Sequence, residues 1–311
     1  MKEEFFDLII VGGGPAAITA GIYASRQNLK TLLITKEFGG QMAKKAVKIE
    51  NYPGFEEISG QELIEKFVNH LKRGKIEIFF DQVKKVEKEN EAFLVKTTGE
   101  KEFKSKALIV ASGMDPRRLK VKGEIEFLGK GVSYCVICDG PIFKEKTVAV
   151  VGGGNAGFEA AIFLANFAKK IFILEATDQV RADQKNQELA KATGKIEIIT
   201  LAQIQEIKGK DFVESLVYFD KKNQKEIELP VDGVFIEIGG IPATSFVKDL
   251  VEFNQRGEII IDPLTCQTKT PGLFAAGDCT AGKYKQIVIA AGEGAKAALA
   301  AYDYLRSFKQ K

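Results

Sequence analysis

Residues 7–35 read DLIIVGGGPAAITAGIYASRQNLKTLLIT, and residues 147–176 read TVAVVGGGNAGFEAAIFLANFAKKIFILEA. Each is an apolar run, a glycine-rich turn, an alanine-rich stretch of helical character and a second apolar run. Gly12 and Gly152 lie 140 residues apart, so a strand–turn–helix–strand unit occurs twice. Both copies continue alike. The alternating, charged segments EAFLVKTTGEKEFKSK (91–106) and FVESLVYFDKKNQKEIEL (212–229) predict antiparallel hairpins with one wet face. Each leads to a buried strand ending in glycine, ALIVASG (107–113) and GVFIEIG (233–239). A further strand-like run, TPGLFAAGDCT (270–280), turns at Gly277-Asp278 and precedes a predicted helix over 286–308 with small residues on one face. Met114-Asp115-Pro116-Arg117 and Gly239-Gly240-Ile241-Pro242 punctuate two crossings between domains. The pattern predicts an α/β protein of two Rossmann-like dinucleotide-binding domains, the second inserted into the first. Residues 1–113 with 244–311 form the discontinuous domain, and residues 114–243 form the inserted one.

Gly12-x-Gly14-x-x-Ala17 and Gly152-x-Gly154-x-x-Gly157 each follow a strand and open a helix. The first glycine permits the tight turn, and the second lets backbone N–H groups approach a pyrophosphate. The third small residue lets the helix pack closely, with its positive end toward the anion. One such loop is a weak signal; two in full context point to two dinucleotides. About 20 residues past the loop, at the tip of the second strand, a side chain meets the adenosine ribose. In the second copy that residue is Glu175, whose carboxylate accepts hydrogen bonds from ribose hydroxyls and repels a 2′-phosphate. Arg181 is the sole cation nearby, so the expectation is NADH over NADPH. The bland alternative makes Glu175 a solvated strand-end acid. In the first copy the position is Thr35, with no acid until Glu37, and gives no such reading.

The chain has 311 residues, 45% hydrophobic and 28% charged, the composition of a globular protein that buries a core without staples. A net charge of +3 argues against a dedicated nucleic-acid binder. No apolar run approaches the roughly 18–20 residues of a membrane span. The start, MKEEFFDLIIVGGG, carries acids where a signal peptide wants positive charge, and a cytoplasmic location is expected. The single histidine, His70, lies in the helix-like QELIEKFVNHLKR. It reads as a helix-surface residue, which makes histidine-based metal or nucleophile systems improbable. Two of the four cysteines form Cys135-Val136-Ile137-Cys138, followed by Asp139-Gly140. That spacing closes a small disulfide ring at a helix start, and Asp139 is a natural proton donor or acceptor beside it. Zinc and iron–sulfur alternatives lack two further clustered ligands, and a reducing compartment disfavours a structural bridge. Cys279 and Cys266, the latter in the strand-like IDPLTCQT, read as buried apolar residues.

GGGPAA at 12–17, GGQ at 39–41, ENYPG at 50–54, CVICDG at 135–140, GGGNAG at 152–157 and AAGD at 275–278 occur in order over essentially the whole chain. As a set they resemble the low-molecular-weight thioredoxin reductases. GVSYCVICDGPIF and the stretch 257–305 resemble even more the reductase module of the alkyl hydroperoxide reductase flavoprotein. That flavoprotein carries an N-terminal disulfide-shuttling region; this chain opens on the first glycine motif, so a separate shuttle protein is expected. The resemblance implies FAD in the discontinuous domain, at Gly12, Gly14, Pro15, Ala16, Gly40, Gln41, Asn51, Ala111, Gly277, Asp278, Gln286 and Ile287. It implies the nicotinamide nucleotide at Gly152, Gly154, Asn155 and Ala156, with Glu175 and Arg181 beside them. NADPH-using members carry a His-Arg-Arg run and a further Arg; here Glu175-Ala176-Thr177 stands in its place, with Arg181 retained. Electrons are then expected to pass from NADH (NADPH remaining possible) through FAD and the Cys135–Cys138 pair to a thioredoxin-like or glutaredoxin-like protein disulfide. Cys138 would face the flavin, Cys135 attack the partner and Asp139 protonate a leaving thiolate. The inserted domain would rotate about hinges at 113–116 and 239–242, in a homodimer. Competing readings are the reductase of a peroxiredoxin system, an NADH oxidase, a ferredoxin-fed reductase and a redox sensor.

Overall fold

A computed structural model describes residues 5–45 and 49–307; the acidic start of the chain and Phe308 lie outside them. The chain divides into two compact units, Met1–Asp115 with Ile241–Lys311, and Pro116–Gly240. The first begins with β1 (Phe5–Val11), α1 (Pro15–Arg26), β2 (Thr31–Thr35), α2 (Gly40–Lys45) and α3 (Gly60–Leu71). It continues with β3 (Glu77–Phe80), β4 (Val83–Glu89), β5 (Ala92–Thr97) and β6 (Glu102–Val110). A linking strand, β7 (Met114–Pro116), leads out of it.

The inserted unit contains β8 (Val132–Ser133), α4 (Val136–Asp139), β9 (Thr147–Val151), α5 (Asn155–Leu164), β10 (Lys170–Leu174) and α6 (Gln184–Ala192). There follow β11 (Ile196–Ile199), β12 (Ala202–Gly209), β13 (Val213–Asp220), β14 (Lys225–Pro230) and β15 (Gly233–Ile236). A second linking strand, β16 (Gly240–Pro242), pairs with β7, and β17 (Leu273–Ala275) and α7 (Ile287–Ser307) complete the first unit. The linking segments Met114–Pro116 and Gly240–Pro242 are themselves strands.

The repeat is visible in both sheets. In the first unit β1 lies between β2 and β6, all parallel, in the order β3-β2-β1-β6-β5-β4, with β17 parallel to the end of β6. In the inserted unit β9 lies between β10 and β15, in the all-parallel order β11-β10-β9-β15-β8. Central strands covered on both faces are apolar throughout: Leu8 and Ile10 pack with Ala20 of α1 and Ala298 of α7, while Ile9 and Val11 pack with Phe93 and Phe103. Val148 and Val150 pack against Phe158 of α5, and Ala149 and Val151 against Leu216 and Tyr218. The charged segments form antiparallel pairs, β5 with β6 and β13 with β14, and the outward positions of β14 are wet. The capping box of Ser59 and Glu62 starts α3, on which His70 is exposed. Cys266 departs from expectation. It ends a turn at φ +59° rather than lying in a strand, because Asp262 draws the chain round through the Leu264 N–H and the Thr265 hydroxyl.

Candidate active site

The two glycine loops are built alike. Gly12 has φ +132° and Gly152 φ +125°, conformations that an L side chain rarely adopts. A methyl on Gly12 would lie 2.2 Å from the Ala111 carbonyl oxygen, and one on Gly152 would lie 2.3 Å from that of Glu237. Ala111 and Glu237 follow the strands next to β1 and β9. Gly14 and Gly154, the N-caps of α1 and α5, have open space where a Cβ would be. Both helices thus begin at a cleared spot, the arrangement that admits a pyrophosphate.

Around the first loop, Pro15 is the first residue of α1, and Ala16 lies within 3.1 Å of where a Cβ on Gly277 would stand. The Asn51 side-chain amide donates to Gln286 Oε1 at 3.2 Å, one residue before Ile287 opens α7. Gln41 Nε2 donates to the Met114 carbonyl at 2.8 Å, beside Gly40 at the head of α2. Burial raises the Asp278 pKa, with Lys285 opposing. Lys285 itself donates to the Asp278 carbonyl at 3.1 Å and pairs with buried Glu258 at 3.0 Å. On α7, Glu293 accepts the Gly277 N–H at 2.7 Å. The loop carrying Asp278 is therefore held by a lysine and a glutamate.

Around the second loop, Glu175 is buried rather than a solvated strand-end acid. Its Oε2 accepts the Gly153 N–H at 2.8 Å, and its Oε1 accepts the Thr177 N–H and hydroxyl at 3.0 and 2.9 Å. Burial works against its charge, but these bonds and the Arg181 charge outweigh it and lower its pKa. The Arg181 N–H donates to the Gly153 carbonyl at 2.7 Å. Asn155 donates to Asp183 Oδ2 at 2.8 Å and accepts the Asp183 N–H at 2.7 Å. The segment 175–183 is thereby pinned to the glycine loop, and the Asn155 amide is committed to that clamp. Ala156 is exposed in the first turn of α5.

Cys135 and Cys138 form a disulfide. Cys135 is the N-cap of the short α4, its sulfur accepting the Cys138 N–H at 3.2 Å, and Cys138 is exposed. Asp139 Oδ2 accepts from Ser133 Oγ at 2.6 Å, and the same oxygen of Ser133 accepts the Cys135 N–H at 2.9 Å. Tyr134 donates to buried Glu124, which also accepts the N–H groups of Leu119 and Lys120. Cys266 and Cys279 are free and fully buried, and burial pushes each thiol up to about 11. At pH 8 only about one thiol in 10³ at either position is ionised. A maleimide is expected to label no cysteine of the native oxidised protein and two after mild reduction, counted by intact mass. Labelling before reduction would show an open core or a reduced pair.

No group of metal-ligating side chains occurs among the described residues, and none of their helices is long and apolar enough to cross a membrane. The model of the pyridine nucleotide-disulphide oxidoreductases matches residues 6–294. The chain belongs to this family. The alkyl hydroperoxide reductase F component of Pseudomonas putida is 41% identical over 97% of this chain and 59% of its own length. The NADH dehydrogenase of Bacillus subtilis (strain 168) is 40% identical over 97% of this chain and 59% of its own. The chain therefore spans less than two thirds of these curated relatives. The thioredoxin reductase of Lactococcus lactis superposes with a TM-score of 0.92 at 36% identity, covering 97% of this chain and 99% of that one. This oxidoreductase is thus of the thioredoxin reductase and alkyl hydroperoxide reductase type, with two Rossmann-type domains and a C-x-x-C disulfide.

Several contacts in the oxidoreductase lay outside the sequence-derived set. Glu293 is the sole acid of IVIAAGEGAKAALAA, and an acid among the small residues of a largely buried helix was a usable signal. Lys285 and Asp183 gave none, because Glu258 and Asn155 lie some 27 residues away in sequence. Ser133 gave none, because a serine near a cysteine pair carries no sign of its rotamer.

Proposed function

We propose that this oxidoreductase carries electrons from NADH to the disulfide of a thioredoxin-like or glutaredoxin-like protein, using FAD and the Cys135–Cys138 pair. One observation carries the reading: a C-x-x-C disulfide, exposed at Cys138 and with an adjoining carboxylate, shares a unit with one dinucleotide loop, while a second such loop lies in the other unit. Family membership implies FAD and a pyridine nucleotide, and the residues fit. No hydrogen bond among the described residues reaches the Asp278 carboxylate. The buried Ser112 hydroxyl meets no partner beyond the Cys279 thiol. Both suit the hydroxyls of a ribityl chain. Gly12, Gly14, Pro15, Ala16, Gly40, Gln41, Asn51, Ala111, Gly277, Asp278, Gln286 and Ile287 would hold FAD. When bound, FAD supplies two-electron chemistry between nicotinamide and sulfur.

Cys135 attacks the acceptor disulfide, Asp139 protonates the departing thiolate, and Cys138 resolves the mixed disulfide. Gly152, Gly154, Asn155 and Ala156 form the nicotinamide nucleotide loop, Asn155 as its clamp. Glu175 favours NADH: its carboxylate, fixed beside the glycine loop by Gly153 and Thr177, repels a 2′-phosphate, with Arg181 as its counter-charge. Anaerobic titration with each nucleotide tests this, and faster bleaching of the yellow protein by NADPH would overturn it. Glu175→Gln is expected to raise the KM for NADH about tenfold with unchanged flavin content. Its amide NH₂ must face either the Gly153 or the Thr177 N–H and lose that bond. An unchanged KM would remove Glu175 from nucleotide recognition.

A second reading, the reductase of a peroxide-removing pair, is favoured by the alkyl hydroperoxide reductases among the relatives. Peroxide-dependent NADH consumption, with a thioredoxin-like carrier and a peroxiredoxin added singly and together, separates the two.

A further inference from the structure

We infer that Ser133 is a positioning residue whose hydroxyl turns between two acceptors, so that Asp139 changes charge without losing its hydrogen bond. This rests on Asp139 being the proton carrier proposed above. Ser133 ends β8 at 4% exposure. Its oxygen accepts the Cys135 N–H at 2.9 Å, which fixes that oxygen whichever way the hydroxyl proton points. Two acceptors lie within reach of the single proton, Asp139 Oδ2 at 2.6 Å and the Cys135 carbonyl at 3.3 Å. At 2.6 Å the first contact is close enough for a short hydrogen bond between hydroxyl and carboxylate. Once Asp139 is protonated, its own O–H donates to Ser133 Oγ, and the serine proton turns to the Cys135 carbonyl. Every polar group keeps a partner in both states, where a fixed donor would clash with one of them.

The transfer balances. Cys135 attacks one sulfur of the acceptor disulfide as its thiolate, while Asp139 is in its protonated state. The Cys135–acceptor bond forms, the acceptor S–S bond breaks, and the leaving thiolate takes the proton from Asp139. The exposed Cys138 thiol then gives up its proton to solvent and attacks the Cys135 sulfur. The Cys135–acceptor bond breaks, the second acceptor half departs as a thiolate, and the dithiol has been oxidised by the two electrons that the acceptor gained.

The test uses the holoprotein with the cysteine pair pre-reduced, in single turnover. One acceptor is an alkyl disulfide, bis(2-hydroxyethyl) disulfide, whose leaving thiolate needs a proton. The other is an aromatic disulfide, 5,5′-dithiobis(2-nitrobenzoic acid), whose leaving thiolate does not. Ser133→Ala is expected to slow the alkyl acceptor about tenfold and the aromatic one less than about twofold. Should alanine disturb folding, the near-isosteric pair Ser133→Thr and Ser133→Val keeps the question open to decision: threonine retains the rate and valine loses it. Asp139→Asn is expected to slow the alkyl acceptor about 10²-fold, and adding Ser133→Ala to it should cost nothing more. A further tenfold loss in the double variant, or equal losses on both acceptors, would make Ser133 merely structural and overturn the inference. If Asp139→Asn alone is harmless, the acid assignment itself fails, and the rotor with it.

Discussion

A Cys138→Ser protein is expected to hold its flavin at the wild-type ratio and to lose steady-state disulfide reduction by about 10³-fold or more. Two electrons reach an acceptor disulfide only if two sulfurs of the donor end joined, and serine cannot close that ring. The Cys135 mixed disulfide would form once and stay. The loss is expected to be kinetic and not structural, because Cys138 is exposed and its N–H still donates to the Cys135 sulfur. The readouts are NADH consumption with a thioredoxin-like acceptor, flavin absorbance per chain and the mass of a trapped adduct. Acceptor reduction at more than a few per cent of wild type would show electrons bypassing the pair and would discard the proposed function.

Gly12→Ala is expected to yield a protein with FAD affinity lowered by more than about 100-fold. The added methyl meets the Ala111 carbonyl oxygen at 2.2 Å with φ at +132°. Backbone cannot swing aside as a side chain does, and such a site costs of order 1–3 kcal/mol before the overlap is counted. Either β1 shifts from β6, to which it is paired through Val11 and Val110, or the turn moves away from the pyrophosphate position. Flavin retained after gel filtration, with melting temperature measured with and without added FAD, reports the effect. Gly14→Ala is the control: no atom lies within 4 Å of its Cβ, so it should fold normally and weaken FAD only through the space it fills. Full flavin content in Gly12→Ala would show that the loop does not hold the cofactor.

The architecture was legible because it is written twice. The β-branched runs, the glycine turns and the alanine-rich helices are local signals whose physics needs no distant partner. The insertion followed from seeing the second copy stand between the first copy and its closing helix. The chemical site was half legible. Cys135, Cys138 and Asp139 fall within five residues and announce themselves by spacing. What held them did not, since Ser133 and Glu124 act through a rotamer and a buried loop. Glu175 was read for its outward role, whereas two of its hydrogen bonds go to Thr177 and one to Gly153. A lone carboxylate at a strand tip gives no sign in sequence of how many backbone donors it will find. Cys266 was misplaced for a similar reason, as Asp262 bends its segment from four residues away.

α7 meets α1 tightly at Gly294, where even a methyl would lie 2.1 Å from the Ala16 carbonyl oxygen. These helices are separated by some 260 residues of chain. During synthesis the ribosome must therefore deliver the whole inserted unit before the helix that braces the first glycine loop exists. The nascent inserted unit can acquire its own core early, while the earlier-made segment waits with one flank bare. Stalled or truncated chains lacking α7 would present that bare flank to the quality-control machinery.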